Sequence, residues 1–287
     1  LWLLGAGNMG GALLHRWHAA GLADIHVIDP NPRALPEGVA ADAAPPAGAG
    51  PDVLVLAVKP QLFAAASAGL AERLRPDTLV ISVMAGVTCA GIADRLGDRP
   101  IVRTMPNTPA RLGQGVTALF GHGADAAQCA RAEALLAAAG TTVWLDHEDQ
   151  FNAVTGLSGS GPAYVFAFIE ALTEAGIAHG LSPALAATLA RATVTGAAAL
   201  AAEPDADPAA LRVAVTSPGG TTAAGLSVLV DRLRPLMTDT VAAATARAHH
   251  LLRARLQWLR VGRIPGRRRI LAARGPAAIA RLTLKRF

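Results

Sequence analysis

The sequence has 287 residues, of which 52% are hydrophobic and 16% are charged, with 26 Lys and Arg against 21 Asp and Glu. A chain of this length can bury most of its surface without a metal or disulfide. Its two cysteines, Cys89 and Cys129, exclude a disulfide framework and a cysteine-rich metal site. The low charged content argues against disorder and predicts long, closely packed helices.

The net charge of +5 and the pI of about 10.2 come from one end of the chain. Residues 251–287 hold 11 of the 26 basic residues and no acid, which leaves residues 1–250 with a net charge of −6. The basic composition typical of nucleic-acid-binding proteins is therefore confined to a tail. For this tail we favour disorder or an out-of-frame sequence error, and contact with RNA or an anionic membrane stays open.

Short apolar runs alternate with helical stretches through the first 110 residues. Unbroken apolar strands separated by helices are typical of a parallel sheet covered on both faces. We therefore predict an α/β domain with a Rossmann-type, doubly wound parallel sheet. The first strand reads as truncated, since no Met precedes Leu1. The predicted strands are Trp2–Leu4, His26–Ile28, Val53–Val58, Thr78–Val83 and Ile101–Arg103.

Near residue 148 helical patterns replace the strand patterns. Ser182-Pro183 and Asp207-Pro208 each pair an N-cap residue with a proline at the first helical position. The apolar run at 185–202 is rich in small residues and interrupted by Arg191, so we expect no membrane span. These patterns predict a Rossmann domain at 1–147, an all-α domain at 148–250 and a basic tail at 251–287.

The segment Gly5-Ala6-Gly7-Asn8-Met9-Gly10 joins the first strand to a helix. In a G-x-G-x-x-G turn the first glycine permits a tight bend and the second lets the backbone approach a pyrophosphate. The third glycine lets the helix pack close to the strand. Asp29 at the end of the second strand favours the ribose diol of NAD, whereas Arg33 is suited to the 2′-phosphate of NADP. The choice between the two cofactors therefore stays open.

Lys59 follows the third predicted strand and is the only lysine before Lys285. A lone lysine is usually a solvated surface charge. Ligands of α/β proteins bind at the carboxyl ends of the strands, however, so we expect Lys59 to face the cofactor.

Two segments rich in glycine and hydroxyl groups precede helices in the second half, at Ser158–Tyr164 and Thr216–Thr222. Each is expected to present free backbone N–H groups and a positive helix end to a carboxylate. Between residues 148 and 248 there is one histidine, His179, and no lysine, and no side-chain set suggests hydrolysis or a metal site. Hydride transfer to an activated C=N bond fits a site made of hydroxyls and backbone donors.

Together these segments resemble the pyrroline-5-carboxylate reductase family, which catalyses the last step of proline biosynthesis. The resemblance extends from Leu1 to about Ala248. The motifs that carry it are Gly5–Gly10, Ala57–Pro60, Met105–Pro109, Val154–Tyr164 and Ser217–Gly225.

The resemblance implies a cytoplasmic oxidoreductase that uses NADPH or NADH. Its helical domain would build an intertwined homodimer, from which larger homo-oligomers assemble in the family. No nucleic-acid or membrane partner is expected. The implied cofactor-binding residues are Gly5, Ala6, Gly7, Asn8, Met9, Gly10, Asp29, Asn31, Ala57, Val58, Lys59, Pro60 and Ala85.

The resemblance also implies that 1-pyrroline-5-carboxylate binds at the second hydroxyl-rich loop, with its carboxylate on backbone N–H groups. Thr222 matches the family's hydroxyl that hydrogen-bonds the substrate ring nitrogen, and it is the expected catalytic residue. Glu148 matches an acidic position near the ring nitrogen of the product. The implied substrate-binding residues are Glu148, Ser217, Gly219, Gly220, Thr221 and Thr222.

Three alternatives come from neighbouring or different classes. A β-hydroxyacid dehydrogenase-like enzyme would share the two-domain plan, but that group depends on a lysine in the helical domain and none lies between Lys59 and Lys285. The other two alternatives are another Rossmann imine oxidoreductase and a non-catalytic protein that binds a dinucleotide or nucleic acid. Neither is expected to turn over 1-pyrroline-5-carboxylate. Oxidation of a nicotinamide cofactor by 1-pyrroline-5-carboxylate separates these classes.

Overall fold

Helices and strands are described for residues 1–261 of this computed structural model. The predicted basic tail lies outside the described residues, apart from 251–261, where the last helix continues to Val261. The chain divides into two compact units, one containing Leu1–Asn152 with the chain from Ala246, and the other Ala153–Thr245. The domain limits 1–147, 148–250 and 251–287 stay predictions.

Within residues 1–261 the first unit has one eight-stranded sheet, with the order β3-β2-β1-β4-β5-β6-β7-β8. All neighbouring strands in it are parallel except β6 and β7. The chain starts in the interior of the sheet and proceeds outwards in both directions, which confirms the predicted doubly wound Rossmann-type sheet. The strands are β1 Trp2–Leu4, β2 His26–Ile28, β3 Ala41–Asp42, β4 Val53–Leu56, β5 Leu79–Ser82, β6 Ile101–Pro106, β7 Gly115–His122 and β8 Gly140–Trp144.

Both faces of the central strands are buried. Alternate residues of a strand point to opposite faces, so Leu3 and Val55 belong to one apolar cluster and Leu4 and Leu56 to another. This double burial explains why β1 and β4 are continuous apolar runs. The covering helices and the short helix that follows β8 are α1 Asn8–Ala19, α2 Phe63–Ala66, α3 Cys89–Leu96, α4 Ala126–Ala137 and α5 Phe151–Val154.

Strands β3, β7 and β8 are missing from the sequence-based prediction. β7 pairs with β6 in the antiparallel direction, which a purely parallel sheet does not include. β8 is an edge strand whose residues are all at least partly exposed, so it lacks the apolar run of a buried strand. β6 also runs three residues beyond the predicted end at Arg103, to Pro106.

The second unit is helical, and its predicted helix starts are confirmed. The Ser182 hydroxyl accepts a hydrogen bond from the Leu185 amide at 3.4 Å. The Asp207 carboxylate accepts from the amides of Ala209 and Ala210 at 3.0 and 3.2 Å. Such caps satisfy amides that have no acceptor within the helix. The helices are α6 Gly161–Ala178, α7 Pro183–Ala201, α8 Pro208–Ala214 and α9 Thr221–Val261.

The predicted loop at Ser158–Tyr164 is wrong, because this segment is helical almost throughout. A π-helical turn at Thr155–Gly159 is followed by α6, and the amide of Ser160 donates to the carbonyl of Thr155 at 2.9 Å. A Cβ on Gly156 would lie 3.0 Å from the carbonyl oxygen of Val241 in α9. Gly156, in the π-helical turn, thus permits close packing against α9.

The helical unit has almost no core of its own. Between residues 153 and 245 the buried residues are Gly156, Ala186 and Ala190. Among the described residues, one helix, α7, is long enough and apolar enough to cross a membrane. Length and composition alone are weak evidence for a membrane span. Large exposed apolar side chains of this unit include Leu157, Val165, Phe166, Phe168, Leu185, Leu189, Leu200, Val213, Val215, Val228 and Leu236.

Candidate functional site

The first glycine-rich turn brings backbone groups into close contact. Gly5 has a φ of +97°, and a Cβ there would lie 2.9 Å from the carbonyl carbon of Ala57 and the amide nitrogen of Val58. A Cβ on Gly10 would lie 2.9 Å from the Ala57 Cβ and would clash with the Gly5 carbonyl oxygen. Only glycine therefore lets β1, the end of β4 and α1 meet at these distances.

Gly7 borders open space instead. A Cβ on Gly7 would meet nothing within 4 Å. Gly7 is the N-cap of α1, and no side chain caps the helix at this end. The first amides of α1 and its positive end therefore face a space that a pyrophosphate can occupy. This turn fits a dinucleotide held by Gly5–Gly10.

Asp29 lies directly after β2, and both of its carboxylate oxygens accept backbone hydrogen bonds. Oδ2 accepts from the amide of Ala6 at 2.7 Å, and Oδ1 accepts from the amide of Asn31 at 2.9 Å. The carboxylate thus ties the glycine-rich turn to the loop after β2. The predicted contact of Asp29 with a ribose diol would have to be made alongside these two bonds.

Arg33 reaches the same turn from the loop after β2. Its exposed guanidinium donates from Nη1 to Oδ1 of Asn8 at 2.5 Å. The guanidinium and the carboxylate of Asp29 therefore both contact the glycine-rich turn. In the sequence, Asp29 favours NAD and Arg33 favours NADP. In the structure, the carboxylate of Asp29 already accepts hydrogen bonds from two backbone amides.

The other predicted cofactor residues follow β4 and β5. Ala57 extends the pairing of β1 and β4 through a hydrogen bond from its amide to the Leu4 carbonyl at 2.8 Å. Lys59 is exposed, and Ala85 is exposed in the segment between β5 and α3. Both strands end at the same edge of a parallel sheet as β1, where ligands bind in this fold. The roles of these residues stay predictions.

Arg103 is a charged residue at this edge that the sequence analysis did not select. It lies in β6 with a side chain only 6% exposed, and its Nη1 donates to Oε1 of Glu148 at 2.8 Å. Its Cζ lies 4.2 Å from the ring centre of Phe151. An arginine within a mostly apolar strand was the signal available in the sequence, because a buried charge needs a partner.

Glu148 also contacts the start of α3. Its Oε1 accepts from the amide of Cys89 at 2.8 Å. Burial raises the pKa of the Cys89 thiol to about 12, and the negative charge of Glu148 adds to the shift. The thiol is therefore protonated at neutral pH. The predicted contact of Glu148 with a substrate ring nitrogen is not tested by these protein contacts.

The predicted substrate loop is a compact turn between α8 and α9. The amide of Gly220 donates to the Ser217 carbonyl at 3.1 Å, and Gly219 has a φ of +71°. Thr221 and Thr222 are exposed in the first turn of α9, where amides lack acceptors within the helix. The hydroxyls of Thr221 and Thr222 and the first amides of α9 are therefore exposed at this loop, and its role as a carboxylate site stays a prediction.

Comparison with known proteins identifies the family. Pyrroline-5-carboxylate reductase of Pseudomonas aeruginosa is 42% identical over 259 residues, which cover 86% of this chain and 95% of that protein. The chain belongs to the pyrroline-5-carboxylate reductase family. The relative from Synechocystis is 45% identical over 203 residues, covering 70% of this chain and 75% of that protein.

Family models and solved structures agree with this assignment. A model described as pyrroline-5-carboxylate reductase dimerisation matches residues 148–251, and one described as NADP oxidoreductase coenzyme F420-dependent matches residues 1–86. The pyrroline-5-carboxylate reductase structure from Coxiella burnetii is 38% identical, with a TM-score of 0.81, and the match covers 87% of this chain and 97% of that one. The Plasmodium falciparum enzyme, solved with NADP bound, is 26% identical with a TM-score of 0.72 over 87% of this chain and 98% of that one. The predicted family and fold class are confirmed.

Proposed function

We infer that this protein is a pyrroline-5-carboxylate reductase, which reduces 1-pyrroline-5-carboxylate to L-proline at the expense of NADPH or NADH. The observation that carries this inference is the 42% identity to such a reductase over 95% of its length. The open glycine-rich turn at the start of α1 supports it, because a reductase of this class needs a dinucleotide site.

The reaction divides between a cofactor and a protein that positions the reactants. The nicotinamide, when bound, supplies the hydride that adds to the C=N carbon of the cyclic imine, the atom that becomes C5 of proline. Gly5–Gly10 and the first amides of α1 would hold the pyrophosphate of the cofactor. Asn8, Asp29 and Asn31 would lie near its adenosine half. Ala57–Pro60 and Ala85 lie where the chain leaves β4 and β5.

The substrate contacts are assigned to the loop before α9. Backbone N–H groups of the Ser217–Thr222 loop bind the carboxylate, because the start of a helix attracts anions. The amide of Gly220 already donates to the Ser217 carbonyl, so Gly220 contributes through the shape of the turn. The Thr222 hydroxyl orients the ring nitrogen and donates to it, so that the nitrogen accepts the proton that completes the amine of proline, and solvent returns a proton to the hydroxyl. Glu148 provides negative charge near that nitrogen.

An assay of the purified protein tests the inference. With 1-pyrroline-5-carboxylate present, absorbance of the reduced cofactor should fall and L-proline should accumulate in equal amount. Matched reactions without the imine, or with a β-hydroxyacid and oxidised cofactor, should show no change. Cofactor binding without turnover would favour the non-catalytic alternative, and turnover with the β-hydroxyacid would favour the dehydrogenase alternative.

The helical unit supports assembly of copies of this chain. A unit with three buried residues between 153 and 245 cannot be stable through its own core, and its exposed apolar side chains suit a large subunit interface. The match of residues 148–251 to a dimerisation model points to the same surface. A homodimer, or a larger homo-oligomer built from dimers, is therefore proposed.

The proposed cellular setting follows from the same surface. Covering of α7 by a second copy accounts for its apolar character without a membrane. Residues 1–250 carry a net negative charge, so this part offers no overall attraction to nucleic acid. A cytoplasmic enzyme with a small-molecule substrate and no nucleic-acid or membrane partner is proposed.

A further inference from the structure

Arg103 is a cation in the interior of the sheet. It is 5% exposed and stands beside Ser82 in the parallel pairing of β5 and β6. Its neighbours in β6, Val102 and Thr104, are also buried. A buried guanidinium is costly unless it is paired, so its presence in a buried strand requires a reason.

The partner of Arg103 is a carboxylate that holds two elements at once. Glu148 Oε1 accepts from Arg103 Nη1 and from the amide of Cys89, both at 2.8 Å. Cys89 is the first residue of α3, where amides lack an acceptor within the helix and a negative charge is favoured. The pair therefore connects β6 to the start of α3, and the ring of Phe151 covers the guanidinium.

The segment between β5 and α3 is fixed at both ends by these contacts. At the strand end, the amide of Met84 donates to the Ser82 hydroxyl at 3.3 Å, and the Thr104 hydroxyl donates to the Ser82 carbonyl at 3.0 Å. At the helix end, Glu148 holds Cys89. Ala85 lies exposed between these two anchors, so its backbone position depends on them.

This segment belongs to the second half of a doubly wound sheet. The two halves of such a sheet each receive one nucleotide of a dinucleotide, and the glycine-rich turn with the end of β2 belongs to the first half. The segment after β5 is therefore on the side of the nicotinamide nucleotide. Arg103, Glu148 and the start of α3 lie in one compact unit, so their geometry is internal to it.

We propose that Arg103 and Glu148 are positioning residues that hold the segment between β5 and α3 in place for the nicotinamide half of the cofactor. The proposal rests on the proposed function for its cofactor and adds a role that does not involve substrate. It also separates two roles for Glu148, because a residue that acts only on the substrate leaves cofactor affinity in the absence of substrate unchanged.

Binding of two ligands tests the proposal without any turnover. NADPH needs both halves of the site, whereas 2′,5′-ADP needs only the adenosine half. Arg103→Met and Glu148→Gln should each raise the dissociation constant of NADPH about tenfold, corresponding to the loss of one charge-assisted hydrogen bond. The dissociation constant of 2′,5′-ADP should change less than twofold. The dissociation constant of NADPH for the double variant should not exceed the larger of the two single-variant values, because both changes break the same contact.

A surface ion pair provides the matched control. Arg75 pairs with Asp52 at 2.5 Å, with 40% and 54% of the side chains exposed, and lies before β5, away from its carboxyl end. Arg75→Met should leave the affinity for both ligands unchanged. Equal NADPH affinity in wild type and both buried-pair variants would overturn the proposal, as would equal weakening of both ligands. A wild-type protein that binds neither NADPH nor NADH would instead contradict the proposed function.

A measurement on the wild-type protein guards against variants that do not fold. Binding of NADPH should slow hydrogen exchange of the amides at 84–89, and 2′,5′-ADP should not. Thiol labelling gives a second reading: Cys89 should resist a disulfide reagent at pH 8 in the wild type and react faster in Glu148→Gln, once the start of α3 is released. Unchanged exchange at 84–89 with saturating NADPH would overturn the proposal.

Discussion

The position of Asp29 agrees with the sequence-based prediction, but its hydrogen bonds indicate a different role from the predicted one. Its place after β2 follows from the sequence, yet its two oxygens already accept the amides of Ala6 and Asn31. Hydrogen bonds to a charged acceptor are stronger than those between neutral groups. Asp29 therefore stabilises the glycine-rich turn itself. We expect Arg33, which contacts Asn8, to be the charge that binds a 2′-phosphate.

Arg33 gives the first prediction. Arg33→Gln should weaken NADPH binding about tenfold, because a charge-assisted contact with the 2′-phosphate is lost, and should leave NADH binding unchanged. Titration of protein fluorescence with each cofactor measures both constants. Arg131→Gln, a change of an exposed arginine on α4, is the control. A parallel loss of NADPH and NADH affinity would show that Arg33 does not contact the phosphate.

Thr222 gives the second prediction at this scale. Thr222→Ala should lower kcat about 10²-fold, the low end for a positioned proton donor, because the ring nitrogen loses its hydroxyl partner. The dissociation constant of NADPH should stay nearly the same. Thr222→Ser, which keeps the hydroxyl, should recover most of the turnover. If cofactor affinity fell as much as kcat, the assigned role would be wrong.

At the scale of elements, alanine substitutions of Gly7 and Gly10 should have opposite effects on stability. Gly7→Ala adds a methyl group to open space, so the melting temperature should hold while NADPH affinity falls. Gly10→Ala places a methyl group against the Gly5 carbonyl and the Ala57 side chain, so α1 must shift, at a cost of about 1–3 kcal/mol of unfolding free energy.

Thermal unfolding and NADPH titration of both glycine variants separate these effects. The expected pattern is a stable Gly7 variant with weak binding and an unstable Gly10 variant. A Gly7→Ala protein that binds NADPH as the wild type does would show that the pyrophosphate does not approach this position. An unshifted melting temperature for Gly10→Ala would contradict the close contact of α1 with the turn.

Sequence predicts the elements whose burial leaves a simple pattern. The buried strands β1, β4 and β5 are continuous apolar runs, and the helix starts at Ser182 and Asp207 carry side-chain caps. The edge strand β8 gives no such pattern because solvent reaches it. The loop prediction for Ser158–Tyr164 is wrong because glycines and hydroxyl side chains, which are typical of loops, also occur in helices.

Parts of the candidate site are predictable for the same reason. The glycine-rich turn is local in sequence, so its geometry follows from a few neighbouring residues. The link between Arg103 and Glu148 joins residues 45 positions apart, and no local pattern pairs them. Only the buried charge in β6 indicated that a partner exists.

At the scale of the whole molecule, the exposed apolar surface of the helical unit predicts the behaviour of an interface variant. Phe166 is 59% exposed in α6. Phe166→Glu should convert the oligomer into smaller species, because a charge is costly in a desolvated interface. Leu22→Glu, at a 39% exposed position in the first unit, should keep the wild-type mass. Sedimentation velocity of both variants checks this. A Phe166 variant with unchanged mass would exclude that position from the interface.

The near absence of buried residues between 153 and 245 also bears on how the protein comes to be folded. The sheet unit has its own core and can form as soon as it is synthesised, whereas the helices must wait for another copy. The melting temperature should therefore rise with protein concentration. Between synthesis and association with another copy, each new chain exposes the apolar surface of its helical unit. Association of copies must therefore be faster than aggregation through that surface.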